Sequence, residues 1–187
     1  LSELKKQTGA KVFGPKSVDH VDVGLSEGDQ LEFSGEHVRV LKTPGHTLDM
    51  LNFYLKSEET IFTGDTLFVM GCGRLFEGTY KQMFDSLQKI KKLSKDTNIY
   101  CGHEYTKNNY EFCIENDKKN IDLKKKLEWI ELKIKQNLPT IPVILENELK
   151  ENIFLRCDNS SIKETLKLNN MCEEEIFKKL RDLKDGF

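Results

Sequence analysis

Three short apolar runs in this 187-residue chain each stop at a glycine and then present a side chain able to bind a metal. Val38-Arg39-Val40-Leu41 stops at Thr43-Pro44-Gly45-His46-Thr47. Ile61-Phe62 stops at Thr63-Gly64-Asp65-Thr66, and Asn98-Ile99-Tyr100-Cys101 stops at Gly102-His103-Glu104-Tyr105. Imidazole nitrogen and carboxylate oxygen are donors that borderline cations such as zinc accept, and a catalytic site keeps one position open for water. His46, Asp65 and His103 are therefore candidate metal ligands. Asp65, projected from the tip of a glycine turn, is the candidate catalytic residue. Beyond it, Gly71-Cys72-Gly73-Arg74 reads as a loop whose two glycines free the backbone to close around a ligand.

The elements that must position these residues follow from periodicity. Leu1 to Gln7 reads as the end of a helix stopped by Thr8-Gly9, and Ala10 to Phe13 as a strand closed by Gly14-Pro15. Residues 17–28 read as a loop or edge excursion. Gln30 to Val40 forms a hairpin about Gly35, Asp49 to Leu55 a strand, and Thr60 to Thr63 the strand that ends at Asp65. Tyr80 to Leu93 is an amphipathic helix with Met83, Leu87, Ile90 and Leu93 inward and Lys89, Lys91 and Lys92 on a solvated face.

After Tyr105 the pattern becomes helical: Asn108 to Asn116, then Ile121 to Gln136 with Leu123, Leu127, Ile130 and Ile134 on one stripe, closed by Pro139 and Pro142. Trp129 packs between these helices. Leu145 to Lys150, Ser160 to Leu168 and Glu173 to Leu183 follow, the last with Ile176, Leu180 and Leu183 inward. The expected organisation is an α/β sandwich over residues 1–106 and a helical C-terminal domain over 107–187.

Composition narrows the function classes. Hydrophobic residues make up 37% and charged ones 32%, with a net charge of -2, which fits a folded soluble chain and gives no basic footprint for nucleic acid. No apolar run reaches the length of a membrane span, and no signal-peptide pattern opens the sequence. The five cysteines include no Cys-x-x-Cys pair, which argues against a disulfide framework or a thiolate zinc site and points to a reducing compartment, with cytoplasm the expectation. Cys72 and Cys101 read as small buried apolar residues. His20 and His37 are expected outside any metal site.

TPGHT (43–47), FTGDTLFVMGCGRLFEGT (62–79) and YCGHEYT (100–106) resemble, in this order, the metal-binding segments of glyoxalase II, the hydroxyacylglutathione hydrolases of the metallo-β-lactamase fold. The likeness runs along essentially the whole chain. Pro139-Thr140-Ile141-Pro142 and Phe154-Leu155-Arg156 resemble segments of the family's helical C-terminal domain. The resemblance implies a partial metallo-β-lactamase-like αββα sandwich followed by a helical substrate-binding domain. It also implies hydrolysis of S-D-lactoylglutathione to D-lactate and glutathione, a step of methylglyoxal detoxification, at two divalent metal ions (zinc, or else iron or manganese).

By that resemblance His46 binds the first metal, Asp65 bridges both and His103 binds the second. Arg74, Tyr105, Arg181 and Lys184 would contact glutathione, the last two spaced to share one side of a helical turn. Phe76 sits where a second tyrosine is common, and the missing hydroxyl weakens binding by roughly 0.5–1.5 kcal/mol.

The sequence departs from the family at two further places. The family's Thr-His-x-His-x-Asp-His cluster, which supplies four ligands, is nowhere in it, and His46-Thr47-Leu48-Asp49-Met50 replaces the usual His-Thr-x-Gly-His. The expectation is a hydrolase whose first segment is absent through truncation, processing or loss of coding region. Such a chain would have little thioesterase activity alone and an exposed sheet prone to self-association or to pairing with a complementing N-terminal segment. Two other readings remain: a mononuclear-iron persulfide dioxygenase of the same fold, and a non-catalytic remnant that binds glutathione or a partner. Glu77-Gly78-Thr79 and the helical extension with its basic pair favour the hydrolase.

Overall fold

The computed structural model describes all residues, 1–187. Helix α1 (Ser2–Thr8) ends at Gly9, whose φ of 66° is the left-handed cap that a glycine supplies without a Cβ penalty. The strands β1 (Phe13–Pro15) and β2 (Val23–Leu25) pair in parallel as a small separate ribbon. The expected strand at Ala10–Phe13 is thus shifted. Gly14 and Pro15 lie inside β1, because a short edge strand tolerates a residue that cannot donate to the ladder.

Next come β3 (Gln30–Phe33), β4 (Glu36–Lys42), β5 (Leu51–Leu55) and β6 (Thr60–Gly64). The hairpin β7 (Leu67–Phe68) and β8 (Gly71–Cys72), helix α2 (Tyr80–Lys91) and strand β9 (Asn98–Cys101) follow. The C-terminal part holds α3 (Thr106–Asn116), α4 (Ile121–Lys135), β10 (Val143–Ile144), α5 (Leu145–Glu151), a 3-10 turn (Ile153–Leu155), α6 (Ser160–Leu166) and α7 (Glu173–Asp185). The C-terminal part is therefore not wholly helical: β10 adds a strand to the edge of the main sheet, pairing with β9.

Six strands form that sheet in the order β10-β9-β6-β5-β4-β3. Strands β4 and β6 both run antiparallel to β5, and β9 runs parallel to β6. β4, β6 and β9 consequently point the same way and end at one edge of the sheet, which is how three segments far apart in sequence bring their terminal loops together. One face of the sheet carries Ile61 and Ile99 against Met83, Leu87 and Ile90 of α2, all with no exposed surface. The core continues through Phe112, Phe154, Phe177 and Leu180, so a single cluster of 26 buried residues runs from the sheet into the C-terminal helices. On the other face Phe62 and Tyr100 are 44% and 39% exposed, their rings 5.4 Å apart.

Helix α2 begins with a capping box missed in the sequence, Thr79 accepting from the Gln82 amide while the Gln82 side chain accepts from the Thr79 amide. Two of its expected solvated lysines are in fact ties. Lys89 donates to Glu27 and to the Lys42 carbonyl, and Lys91 donates to the Leu155 carbonyl. In α4 only Leu123 and Ile130 of the expected stripe are buried. The helix is turned so that Lys126 faces inward to Glu151 at 2.8 Å, leaving Leu127 and Ile134 exposed. Trp129 is half-buried and lies beneath the ammonium groups of Lys126 and Lys133.

Candidate metal and substrate site

Asp65 follows the end of β6 and His103 the end of β9, strands that are parallel neighbours. The two turns are joined by the Gly102 amide donating to the Gly64 carbonyl at 2.9 Å. A side chain at Gly102 would displace the Asp65 carboxylate, since its Cβ would lie 2.7 Å from Asp65 Oδ1. At Gly73 a Cβ would lie 2.0 Å from the Asp65 carbonyl oxygen. Gly71 is likewise confined, by the Asn109 side chain at 2.4 Å. The two glycines expected to fold around a ligand instead let the β7–β8 hairpin pack against Asp65 and α3.

His46 arrives from β4. Its Nδ1 donates to the Arg74 carbonyl at 2.8 Å, which leaves Nε2 as the nitrogen with a free lone pair. That Nε2 lies 3.5 Å from Asp65 Oδ2, and His103 Nε2 lies 3.3 Å from Asp65 Oδ1. Asp65 Oδ1 is buried and accepts no hydrogen bond. Behind the carboxylate the Thr43 and Thr66 hydroxyls are bonded to each other at 3.0 Å, and Asn52 donates to the Thr63 carbonyl at 2.9 Å. This buried polar support steadies the Asp65 loop and gave no sequence signal of its own.

A carboxylate with one orphaned buried oxygen, flanked by two imidazoles of which His46 keeps an Nε2 lone pair, is a donor set suited to a cation. The arrangement is pairwise: each carboxylate oxygen faces one histidine, and no group of three His, Cys, Asp or Glu side chains closes on a single point. These residues fit a carboxylate shared between two metal positions, to each of which they offer one imidazole and one carboxylate oxygen. They do not make a four-ligand mononuclear site.

The eight candidate residues line one cleft of about 750 Å³. Phe76, 71% exposed, packs its ring 4.7 Å from that of His46. Its loop is strapped to the His46 loop by the Phe76 and Glu77 amides donating to the His46 carbonyl. Tyr105 stacks on His103 at 4.9 Å and meets the edge of Phe68 at 5.3 Å. Arg74 is exposed at the rim, its Nε 3.6 Å from Asp185 Oδ1.

Arg181 and Lys184 do share one side of α7, yet that side is buried. Arg181 is 2% exposed. It donates through Nη1 to the Cys72 carbonyl at 2.8 Å and through Nη2 to Asp185 at 3.0 Å, leaving Nε without an acceptor. Lys184 donates to the Asn108 carbonyl at 3.1 Å and to the Asn108 side chain, and its ammonium lies over the rings of Phe112 and Phe187. Burial, with help from the Arg181 and Arg74 charges, pulls the Lys184 ammonium down to about 8.

Cys72 is buried, as expected, and Cys101 only half-buried; burial raises both thiols. His20 and His37 are exposed and do not line the cleft. The sequence reading missed Phe68, Asn108, Asn109 and Phe187 in the cleft wall. Phe68 stood in a quoted motif without a role, and the other three carried no signal.

Residues 2–103 match the model of the metallo-beta-lactamase superfamily, and residues 104–187 match that of the hydroxyacylglutathione hydrolase C-terminus. The chain is 46% identical over 189 residues to a hydroxyacylglutathione hydrolase of Pelagibacter ubique, spanning 99% of this chain and 73% of that protein. It is 42% identical over 191 residues to a hydroxyacylglutathione hydrolase of Bartonella henselae, spanning 100% of this chain and 76% of that protein. Among solved structures, ETHE1 from Myxococcus xanthus aligns with a TM-score of 0.62 at 22% identity, over 97% of this chain and 68% of that one. The BLEG-1 B3 metallo-beta-lactamase aligns with a TM-score of 0.58 at 18% identity, over 82% and 68%. At those identities the structural likeness shows the fold alone.

Proposed function

The chain belongs to the hydroxyacylglutathione hydrolase family of the metallo-beta-lactamase superfamily, and from that premise we propose that it hydrolyses the thioester of an S-(2-hydroxyacyl)glutathione, S-D-lactoylglutathione in the first instance. The products are D-lactate and glutathione. The carrying observation is one cleft with a metal-donor end, where His103 faces the unpartnered Oδ1 of Asp65 and His46 faces its Oδ2, and a cationic end formed by Arg74, Arg181 and Lys184.

Membership in this superfamily implies divalent metal ions, and His46, Asp65 and His103 are the residues of this chain that would hold them. When bound, such ions supply Lewis-acid character toward the thioester carbonyl and a water acidic enough to ionise near neutral pH. Zinc is our assignment, because imidazole and carboxylate are donors it accepts readily. The chain's own residues do the rest. The Arg74 carbonyl holds the His46 tautomer, and the Thr43-Thr66-Asn52 network keeps the Asp65 loop in place. The Phe76 and Tyr105 rings pack against the His46 and His103 imidazoles and orient them. Glutathione carries carboxylates at both ends, and the exposed Arg74 guanidinium and the Lys184 ammonium are the cations that would meet them, with the buried Arg181 charge behind. We place the activity in the cytoplasm as a step of methylglyoxal detoxification; five cysteines, all free, support a reducing compartment.

The test pairs metal content per chain, by elemental analysis, with hydrolysis of S-D-lactoylglutathione and binding of S-hexylglutathione. We expect hydrolysis in proportion to bound metal, little of it where metal is lost on dialysis, and none in Asp65→Asn. Binding of S-hexylglutathione should survive without metal. Hydrolysis undiminished in Asp65→Asn, or no binding of S-hexylglutathione by the wild-type chain, would sink the reading.

A further inference from the structure

The β7–β8 hairpin forms the floor between the two ends of the cleft, and its backbone is held by side chains from the C-terminal part of the protein. Phe68 on the hairpin sets its ring against His103 and Tyr105, and the Cys72 carbonyl receives Arg181. The turn between its strands passes through Met70, which is fully buried at a φ of 54°, in the left-handed region that a non-glycine residue enters only when its surroundings impose it. What imposes it is Glu148 of α5. This residue has no exposed surface, and its Oε2 accepts the Met70 amide at 2.8 Å. Asn152, equally buried, donates its Nδ2 to the same carboxylate oxygen at 2.9 Å and to the carbonyls of Gly71 and Phe68 at 3.1 and 3.3 Å.

We propose that Glu148 is a positioning residue of the cleft: with Asn152 it clamps the Phe68–Cys72 hairpin and thereby sets both the seat of Arg181 and the His103–Tyr105 stack. A buried carboxylate is an expensive group to place here, and a glutamine in its stead would accept both bonds more weakly and leave its own N–H donors buried without a partner where Oε1 now stands. Its second oxygen, Oε1, is buried without any partner. The groups that face it are Lys126 from α4, Glu151 from its own helix, the Cys113 thiol from α3, which donates to the Met70 carbonyl, and Cys101 from β9. Burial dominates over the hydrogen bonds and over Lys126, and raises the carboxyl to about 7. The clamp therefore carries its own reporter. The ionised carboxylate attracts the Met70 amide hydrogen more strongly than the neutral acid does.

The proposal rests on the glutathione reading for its consequence, and its geometry can be tested without it. In the isotope-labelled full chain, the Met70 amide resonance should titrate with a midpoint near 7, and the Phe68 and Cys72 amides and the Arg181 Nε–H should follow with the same midpoint. His46 and His103 also face the cleft, so the spectrum of Glu148→Gln identifies which shifts belong to Glu148: these should vanish, and S-hexylglutathione binding should weaken several-fold. Asn152→Ala, which removes a donor to the ionised form, should move the midpoint upward. A Met70 titration that leaves Phe68, Cys72 and Arg181 still would overturn the proposal, as would unchanged ligand affinity in a folded Glu148→Gln. Should that variant fail to fold, the wild-type titration and the Asn152→Ala midpoint decide alone. A wild-type chain that binds no S-hexylglutathione defeats the glutathione reading, while the coupled titration still decides the clamp.

Discussion

At one end of the cleft Asp65 keeps its Oδ1 buried without a donor, with His103 Nε2 standing 3.3 Å from it and His46 Nε2 3.5 Å from the other carboxylate oxygen. At the other end Arg181 fills two of its nitrogens from its own chain, and Lys184 hydrogen-bonds Asn108 twice. Both ends place charge where water is scarce, and they balance it differently. The Asp65 end is left short of partners, and a bound cation would complete it. The cationic end is largely satisfied beforehand and belongs to the fold as much as to the ligand. Substituting a residue at the first end should therefore cost binding without lowering stability, whereas the second end should lose stability.

The largest expected effect breaks the first half of that contrast. Asp65→Asn should lower zinc affinity by on the order of 100-fold or more, since even residues that only support a ligand are worth about 10–100-fold. The same substitution should raise the thermal stability of the metal-free chain by roughly 1 kcal/mol, because the amide can donate to an imidazole nitrogen that now lacks a partner. Calorimetric zinc titration and a thermal melt on one preparation check both. A destabilised variant with intact zinc affinity would reverse the roles assigned to the two ends.

Next in size, Arg181→Ala should destabilise the protein by about 2–3 kcal/mol, as it strips buried partners from the Cys72 carbonyl and Asp185. Arg74→Ala, at the exposed rim, should stay within about 0.5 kcal/mol. Denaturant melts of the two variants side by side sharpen the comparison, and equal losses would contradict it.

Lys184 gives a pH test with two opposite signs. Its ammonium titrates near 8 in the folded chain against a lysine's usual 10.5. Between those values the unfolded chain binds more protons than the folded one. The contribution of Lys184 to stability should therefore rise as pH climbs from about 8 toward 10.5, and be flat below 8. Affinity for S-hexylglutathione should fall over the same climb, by roughly tenfold, as the charge facing the ligand carboxylate is lost. Lys184→Met should remove both trends. The one expected gain is at Phe76: Phe76→Tyr should tighten S-hexylglutathione binding by roughly 0.5–1.5 kcal/mol by supplying a hydroxyl at the rim.

Much of this site was legible in the sequence because its residues are tied to local signals. A strand that stops at a glycine and exposes a histidine or aspartate can be read from a few residues, and His46, Asp65 and His103 all line one cleft. The hairpin about Gly35 and the helices from Tyr80 and Glu173 were legible for the same reason, through short periodicities and turn residues. The readings that failed depended on partners distant in sequence. Nothing local says that Gly73 must clear the Asp65 carbonyl, that Lys89 and Lys91 will bind carbonyls across the fold, or that Val143–Ile144 will extend the sheet.

The amino-acid sequence by itself determined the donor types, the strand ends that carry them and the helical character of most of the second half, since these rest on side-chain chemistry and on contacts within one turn or one strand. The tertiary structure alone decided how the donors meet. The common direction of β4, β6 and β9 brings three loops to one edge of the sheet, and the packing of α7 buries Arg181 and Lys184 in the wall of the cleft. Register between strands and the rotation of a helix about its axis are set by the packing of the whole core, so no local stretch of sequence records them.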